Sequence, residues 1–251
     1  MITEHKVLRP SWSGEGRLQA LCTSRKGGIS KAPWYSLNLG DHVGDNPLHV
    51  GENRQSLARF AGLSSTRIGW LEQVHGTDVI ELTQASVATR PRADASFTRE
   101  PKLACAILTA DCLPVLLADR NGTVVGAAHA GWRGLSQGVL ENLIRAMEVE
   151  PGDLLAWFGP AIGPGHFEVG PEVKAAFVEQ DAHAEVAFSA VGAREGHFMA
   201  DLYRLARQRL QRAGVTAISG GSLCTVNDRE WLFSYRRDQQ TGRMASVIWL
   251  N

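Results

Sequence analysis

Two histidines and one cysteine in the middle third of the chain have the types and spacing of metal ligands. His75, Cys112 and His129 lie in the runs QVHGTD, ADCLP and AHAGWRG. Structural zinc sites close four protein ligands around the metal, whereas catalytic sites keep three and leave the fourth position to water or substrate. No fourth ligand of matching quality lies near these runs. The pattern therefore predicts a zinc metalloenzyme with an open position on its metal.

Each of these residues also has an ordinary structural explanation. A cysteine in an apolar run is usually a small core residue, and a single histidine often only satisfies nearby hydrogen bonds. Ligand roles are favoured because each residue lies among small, polar or glycine neighbours at a strand-to-loop boundary, where a rigid scaffold commonly holds binding groups. The other cysteines form no C-x-x-C pair, which argues against a zinc ribbon and a thioredoxin-type motif. Cys22 and Cys105 lie in apolar runs and are predicted core residues.

The elements that must position the ligands are those of an α/β protein, in which short apolar β-like runs alternate with amphipathic helices. The patterns predict strands over 103–108, 114–118 and 123–128 and a closing strand over 246–250. They also predict a helix over about 135–147, whose amino end would point at the site, and further helices near 53–61, 171–180 and 202–213.

A predicted hairpin brings two of the ligands together. Asn121-Gly122 is a strong turn signal, so at least part of the sheet should be antiparallel. Cys112 lies nine residues before Asn121 and His129 lies seven after Gly122, and antiparallel strands place residues equally far from the turn opposite one another. Pro114 is expected at the first residue, an edge or a bulge of its strand, which leaves Cys112 just outside it.

Composition indicates a globular protein without a polyanionic partner. The 251 residues are 44% hydrophobic and 21% charged, and 26 Lys and Arg balance 26 Asp and Glu. This balance argues against nucleic acid and anionic membranes as partners. The chain lacks a secretory signal and an apolar run of roughly 18 residues, so we expect no membrane span and a cytoplasmic location. No repeat or linker divides residues 1–251, which favours one domain; the sequence leaves a monomer and a weak dimer open.

The chain resembles the YfiH-like, or laccase-domain, family along nearly its whole length. The resemblance rests on the runs TSRKGGIS, SLNLGDHVGD, GPAIGP and FSYRRD together with the three ligand runs, of which HAGWRG and ADCLPVLL are the most specific. It implies a single-domain α/β sandwich with a mixed, partly antiparallel sheet and zinc on His75, Cys112 and His129. It also implies a purine nucleoside phosphorylase that cleaves adenosine, inosine or guanosine, or methylthioadenosine with phosphate, and that deaminates adenosine.

Phosphorolysis requires a phosphate aimed at ribose C1′ and a cation that compensates its charge. Arginine is the usual phosphate ligand. Arg133 is the first candidate, because it lies four residues from His129 and near a predicted helix amino end. Arg25 and Arg54 also lie in or beside family-like runs, although each fits a surface salt bridge equally well. Asn38 is a candidate for a hydrogen bond to purine or ribose, or a turn residue.

Catalytic roles are predicted for Cys112, His129 and Asp111. Deamination would use the same metal to activate water while a carboxylate moves the proton. Asp111 is adjacent to Cys112 and is the first candidate for that carboxylate, with Glu168 as the second. Trp132 fits either stacking on a purine or, more commonly, packing.

Two other enzyme classes and a binding module remain open. A copper-dependent polyphenol oxidase is suggested by the laccase label, but multicopper centres use many histidines in His-x-His pairs and none of the eight histidines forms such a pair. Copper can still occupy a Cys/His site in place of zinc. A metal-free hydrolase, such as an amidase acting on cell-wall precursors, would use Cys112 as nucleophile and His129 as base and would not need His75. A binding module would hold nucleosides without turnover.

Overall fold

Short apolar runs form the central strands of this protein, and they are buried on both faces. The computed structural model describes residues 1–13 and 16–251. Over these residues the strands are β1 Val7–Leu8, β2 Leu18–Thr23, β3 Ile68–Gly69, β4 Val79–Glu81, β5 Ala95–Thr98, β6 Ala104–Thr109, β7 Leu113–Asp119, β8 Val125–Ala130, β9 Leu154–Phe158, β10 Glu168–Val169, β11 Phe188–Ser189, β12 Phe198–Ala200, β13 Ala217–Gly220 and β14 Met244–Leu250.

Six α-helices lie between these strands in the described part of the chain. They are α1 Pro47–Ala61, α2 Trp132–Gln137, α3 Val139–Met147, α4 Pro171–Val178, α5 Leu202–Arg212 and α6 Tyr235–Asp238. Single 3₁₀ turns occur at Glu4–Lys6, Ser65–Arg67, Val87–Thr89 and Pro151–Asp153, and a longer one at Ala182–Ala187. None of the helices formed by residues 1–13 and 16–251 is long and apolar enough to span a bilayer.

Two mixed sheets make up most of the fold. One has the strand order β1-β2-β14-β6-β3 and the other β13-β9-β7-β8-β5-β4, while β10-β12-β11 form a small third sheet. The pairs β3/β6, β4/β5 and β9/β13 are parallel and the remaining named pairs are antiparallel. The predicted α/β class with a mixed, partly antiparallel sheet is confirmed. That residues 1–251 form one domain stays a prediction.

The side chains of β7 show how the layers stack. Leu116 and Ala118 face β6 and β14 of the other sheet, while Val115 and Leu117 face the helices α3, α4 and α5. On the outer face of the five-stranded sheet, α1 packs through Leu57. The order of layers is therefore helix, sheet, sheet and helices. Because both faces of the two main sheets are covered, most side chains within their strands are apolar and buried.

The predicted hairpin is present. Strands β7 and β8 pair with Pro114 opposite His129, and the turn between them contains Gly122 at φ 68°. Both oxygens of Asp119 accept hydrogen bonds from this turn, including one of 2.5 Å from the Thr123 hydroxyl. Cys112 lies just before β7, as predicted, whereas Pro114 is the second residue of this strand and not its first.

The helix expected over 135–147 is wrong in its bounds. It begins at Trp132 and is interrupted at Gly138, whose left-handed backbone (φ 100°) ends α2 and starts α3. A glycine adopts this conformation at little steric cost, and that is why the apolar periodicity continues through the break. The helix expected near 53–61 begins earlier, at Pro47, because Asn46 caps it by accepting from the Leu48 amide.

Substitution of Leu116 by Ala should lower the free energy of unfolding by about 2–5 kcal/mol, because it removes fully buried methyl groups between the two sheets and leaves a cavity. The matched control is Leu48→Ala on α1, where the side chain is 80% exposed and the change should stay within about 0.5 kcal/mol. Urea unfolding followed by circular dichroism measures both. Equal effects of the two substitutions would contradict the described core.

Candidate metal and catalytic site

The predicted ligands converge at one end of the six-stranded sheet. Cys112 precedes β7, His129 lies near the end of β8, and His75 lies in the loop between β3 and β4. One ligand atom from each side chain lies within 4.8 Å of the other two. Cys112 Sγ is 3.9 Å from His75 Nε2, and the two imidazole centroids are 4.7 Å apart. His75 is exposed while His129 is buried, so the group opens to solvent on the His75 side.

The hairpin register places Cys112 level with Gly131, which caps the start of α2. A Cβ on Gly131 would lie 3.0 Å from Cys112 Sγ and 3.2 Å from His75 Cδ2. The residue is therefore a glycine for a spatial reason: the backbone that follows β8 passes directly against two of the three ligands. The beginning of α2 consequently lies at the site, as the sequence pattern indicates.

A buried carboxylate that the sequence analysis missed orders the ligands. Asp94 is fully buried and accepts hydrogen bonds from the backbone amides of Val74 (3.0 Å), His75 (2.9 Å) and Gly76 (2.7 Å). It also accepts from His129 Nδ1 at 2.7 Å, which leaves Nε2 of that ring as the available ligand atom. The available sequence signal was an aspartate directly before an apolar strand.

The three donors alter one another's protonation. Burial by itself would raise the pKa of the Cys112 thiol, but the charge of His129 and hydrogen bonds from His129 and His75 outweigh it and lower the pKa to about 6. Burial by itself would lower the pKa of His129, but the Cys112 thiolate and Asp94 outweigh it and raise the pKa to about 9. Between these values the metal-free pair is a thiolate and an imidazolium.

The donor set fits a metal ion with three protein ligands. Zinc–sulfur and zinc–nitrogen bonds are about 2.3 and 2.1 Å long, so sulfur and nitrogen on one ion lie at most about 4.4 Å apart. The 3.9 Å between Cys112 Sγ and His75 Nε2 satisfies this limit. Within residues 1–13 and 16–251, this is the one group of three or more His, Cys, Asp or Glu side chains found close enough together to hold a metal.

A cavity of about 150 Å³ adjoins Cys112. Its wall is largely apolar and aromatic, with one carboxylate and one guanidinium. The lining residues besides Cys112 are Ala110, Asp111, Trp132, Ile162, Phe167, Leu202, Tyr235 and Arg236. Trp132 and Asp111, both singled out from the sequence, are thus brought to the ligands. Phe167, Tyr235 and Arg236 were not assigned individually, although the last two lie in a family-like run.

Asp111 links three segments at this cavity. Its backbone is left-handed (φ 96°), which is uncommon for a residue other than glycine. One carboxylate oxygen accepts from the Thr225 hydroxyl at 2.5 Å and the other from the Arg236 amide at 2.6 Å. Both oxygens therefore act as acceptors in this arrangement.

Glu168, the second acid/base candidate, does not line the cavity beside Cys112. It lines a neighbouring cavity with His166 and Arg194. Its Oε1 is 2.5 Å from Arg194 Nε, and this hydrogen bond holds the pKa of Glu168 below its usual range. Because Glu168 lies outside the cavity that contains Cys112, its position favours Asp111 for a role beside Cys112.

Arg133 differs from the other candidate phosphate ligands. It is exposed, its guanidinium lies 4.4 Å from the ring of Trp132, and no hydrogen-bond partner for it occurs among the described residues. By contrast, Arg25 donates to the carbonyls of Tyr35 and Arg229. Arg54 donates to the Leu39 carbonyl and stacks on Trp70, with Asp41 3.4 Å away. The contacts of Arg25 and Arg54 are those of structural residues.

Asn38 is fully buried, and its amide has no free donor or acceptor. The amide nitrogen donates to the Gly40 carbonyl and to Asp45, while the oxygen accepts from the amides of Gly40 and Arg243. A direct bond to a nucleoside would require this network to open. The structure therefore accounts for Asn38 as part of a loop, in line with the alternative of a turn residue.

The chain matches a family model along most of its length. The model is described as "Multi-copper polyphenol oxidoreductase laccase" and matches residues 19–251. Among characterised relatives, "Purine nucleoside phosphorylase YfiH" of Escherichia coli is 52% identical over 98% of this chain and 99% of its own. "Purine nucleoside phosphorylase PA4543" of Pseudomonas aeruginosa is also 52% identical, over 97% of this chain and 98% of its own.

Solved structures show the same architecture. Neisseria meningitidis protein NMB0706 is 48% identical and superposes with a TM-score of 0.92, covering 98% of this chain and 99% of that one. YlmD from Geobacillus stearothermophilus is 29% identical with a TM-score of 0.90, covering 100% and 98% of the two chains.

Asp94→Asn should weaken the binding of Zn²⁺ to the metal-free protein by roughly 10- to 100-fold, because an amide cannot accept all four hydrogen bonds that orient His129 and the His75 loop. Competition with a chromophoric chelator measures this affinity. Asp119→Asn, the same change at the buried carboxylate in the turn of the hairpin, is the matched control and should leave it unchanged. A wild-type affinity in Asp94→Asn would rule out the orienting role.

In the metal-free protein, Cys112 should react with iodoacetamide as a thiol of pKa about 6. A lowered pKa means that the thiolate is already formed above that pH, so the rate should reach its plateau near pH 7, whereas a cysteine in a reference peptide titrates near about 8.5. His129→Ala should move the midpoint upward because it removes the neighbouring positive charge. Peptide mass spectrometry follows Cys112 specifically, and an unshifted midpoint would contradict the described ion pair.

Proposed function

The chain belongs to the YfiH-like, laccase-domain family, and from this premise we propose that it is a zinc-dependent purine nucleoside phosphorylase. The observation that carries the proposal is the convergence of His75, Cys112 and His129 beside an aromatic cavity. Two relatives that are 52% identical, aligned over nearly the whole chain, are named purine nucleoside phosphorylases. The proposed partners are purine nucleosides and phosphate, and the proposed location is the cytoplasm.

The choice of zinc is supported by the donor set. Two imidazoles and one thiolate are ligands that zinc accepts, and three protein ligands leave a position open. Bound zinc would supply a Lewis acid at the mouth of the cavity. Asp94 would keep the His129 ring oriented with Nε2 toward the metal position.

Phosphorolysis also needs residues that bind the base and residues that compensate the charge of phosphate. In phosphorolysis an oxygen of phosphate bonds to ribose C1′, the bond from C1′ to the base nitrogen breaks, and the base leaves with that electron pair. We assign the base to the cavity walls formed by Trp132, Phe167 and Tyr235, whose ring faces suit a planar heterocycle. Arg133, whose guanidinium has no protein acceptor among the described residues, would compensate negative charge at the rim.

Asp111 is proposed as the acceptor that fixes a polar group of the substrate or a water beside Cys112. Both of its oxygens already receive hydrogen bonds, which suits an acceptor better than a proton donor. The same position would serve adenosine deamination, where a carboxylate receives a proton from water. Deamination of adenosine and cleavage of adenosine, inosine, guanosine or methylthioadenosine are therefore proposed as activities of one site.

A copper polyphenol oxidase is less well supported by the ligands. A multicopper centre needs several histidine-rich sites, whereas the described residues contain one suitable group, with two histidines. Copper bound at that group in place of zinc remains compatible with its nitrogen and sulfur donors.

A second candidate function is favoured by one observation. The pairing of a Cys112 thiolate with a His129 imidazolium is also the arrangement of a cysteine hydrolase such as an amidase. Such an enzyme would have no use for His75, which lies 3.9 Å from the sulfur. Substitution of His75 therefore separates the two candidates.

Wild-type protein purified without added metal should contain about one zinc per chain, the stoichiometry of one three-ligand site. It should release free base from inosine and adenosine only when phosphate is present. His75→Ala should lose both the zinc and this activity, while His183→Ala, at a side chain 91% exposed on a 3₁₀ turn, should retain both. Elemental analysis and chromatography of the released bases measure the two properties.

A metal-free wild type that releases no base, with Cys112 acylated by an amide or ester substrate, would replace the phosphorylase by the cysteine hydrolase. Nucleoside binding without turnover in the zinc-loaded protein would instead indicate a binding module.

A further inference from the structure

Arg243 is a partly buried cation without a carboxylate partner among the described residues. Its Nη1 donates to the carbonyls of Thr241 (3.0 Å) and Gly242 (3.1 Å). Its Nε and Nη2 have no protein acceptor within residues 1–13 and 16–251. A guanidinium held by two backbone carbonyls therefore keeps part of its donor fork available for another ligand.

The strand register places Arg243 beside the candidate site. Met244 pairs with Thr109 in the antiparallel ladder between β14 and β6, so Arg243 is level with Ala110 at the start of the segment that leads to Cys112. Its Cζ lies 5.8 Å from the ring centre of Tyr235. Ala110, Cys112 and Tyr235 all line the cavity described above, so Arg243 stands next to that cavity.

The loop that contains Asn38 forms the seat of Arg243. The Arg243 amide donates to Asn38 Oδ1 at 2.9 Å, and a Cβ on Gly40 would come within 2.7 Å of Arg243 Cγ. Asn38 is in turn held by Asp45, whose Oδ2 also accepts from the Ser30 hydroxyl. This buried network fixes the backbone and the first side-chain carbons of Arg243 at one place.

The charges nearby make an anion site plausible only with such a cation. The Asp111 carboxylate lines the cavity, and an incoming phosphate would be repelled by it. Other arginines already have protein partners: Arg54 is shared with Asp41, and Arg25 donates to two backbone carbonyls. Arg236, which lines the cavity, donates from both Nη atoms to the carbonyls of His166 and Glu168. Arg133 is exposed on α2, with its guanidinium over the ring of Trp132.

We propose that Arg243, seated by Asn38 and Gly40, binds the phosphate co-substrate next to the metal ligands. This rests on the proposed phosphorylase function and adds the residue that selects the nucleophile. A guanidinium whose Nε and Nη2 are both free to donate matches phosphate oxygens better than an ammonium does. Asn38 is thereby a positioning residue that acts through Arg243.

The test compares Arg243→Gln and Arg243→Lys with the wild-type holoenzyme, using inosine with varied phosphate. Arg243→Gln should lower kcat/KM for phosphate by roughly 10- to 100-fold, the value of a hydrogen bond to a charged group, while KM for inosine at saturating phosphate stays unchanged. Arg243→Lys should have a kcat/KM for phosphate between those of the wild type and Arg243→Gln, because lysine keeps the positive charge but cannot donate two parallel hydrogen bonds. Arg145→Gln, at an exposed arginine of α3, should match the wild type.

Two further measurements separate a binding role from a structural one. Calorimetric titration with inorganic phosphate, on protein with and without metal, should detect binding in wild type and not in Arg243→Gln. Gly40→Ala, which leaves the guanidinium present but forces its stem to move, should weaken phosphate binding in the same direction. Zinc content and the thermal unfolding curve confirm that each variant is folded, and any adenosine deamination, which uses water, should persist in Arg243→Gln.

An unchanged KM for phosphate in Arg243→Gln, or a loss of kcat with both KM values unchanged, would overturn the assignment. A wild type that never releases base in the presence of phosphate would overturn the phosphorylase itself and the co-substrate role with it. Phosphate binding that Arg243→Gln abolishes would then still mark Arg243 as an anion-binding residue, so the two failures are distinguishable.

Discussion

The hydrogen bonds of the buried Asp94 carboxylate are the interactions on which the rest of the site depends. A buried charge is costly unless it is paired and hydrogen-bonded, and here three amides of one loop and the ring of His129 supply those bonds. These bonds hold His75 in a left-handed conformation (φ 62°) that a residue other than glycine seldom adopts. They also fix the Gly76 carbonyl, against which Gly134 of α2 packs so closely that a Cβ would lie 2.6 Å from it. The Asp94 carboxylate thus links His75, His129 and helix α2.

The layered architecture explains why the chemistry occurs at the ends of strands. Each main sheet is covered on both faces, so the interior positions of β6, β7, β8 and β14 are buried and mostly apolar, with Ser246 of β14 as a polar exception. Cys112 lies between the end of β6 and the start of β7, and His129 pairs with Pro114 near the end of the β7–β8 ladder. The end of β6 lies nearby because β6 packs across the inner core against β7 and β8, which are neighbours in one sheet. Cys112 follows β6 directly through Ala110 and Asp111, and Arg243 precedes β14 at the same level. The fold supplies both a rigid frame and a short list of places where polar groups are tolerated.

The part of this site that could be predicted from sequence is the part that depends on local pairing. Cys112 and His129 flank a hairpin whose turn is evident in the sequence, so counting from the turn places them together. His75 could be proposed only from its residue type, since its loop reaches the site through Asp94 and not through a neighbouring strand in the chain. Asp94 itself arrives by the pairing of β5 with β8, and Arg243 by the pairing of β14 with β6. Pairings between strands so far apart in the chain cannot be predicted from the local pattern of apolar residues. The break at Gly138 was missed for a different reason, because the apolar pattern continues across it.

Charge balance connects the group of Cys112, His129 and Asp94 with the adjoining cavity wall that carries Asp111. Without metal, the Cys112 thiolate is balanced by the His129 imidazolium, and Asp94 stabilises that imidazolium from the far side of the ring. A metal held by these residues would replace the Nε2 proton of His129, and its charge would then balance the thiolate. Asp111 also lies at the cavity wall, where both of its oxygens accept hydrogen bonds from neutral donors. A cation on that side is needed before a second anion can approach, and Arg243 stands beside the segment that carries Asp111. The aromatic side chains of the same cavity suit an uncharged planar ring.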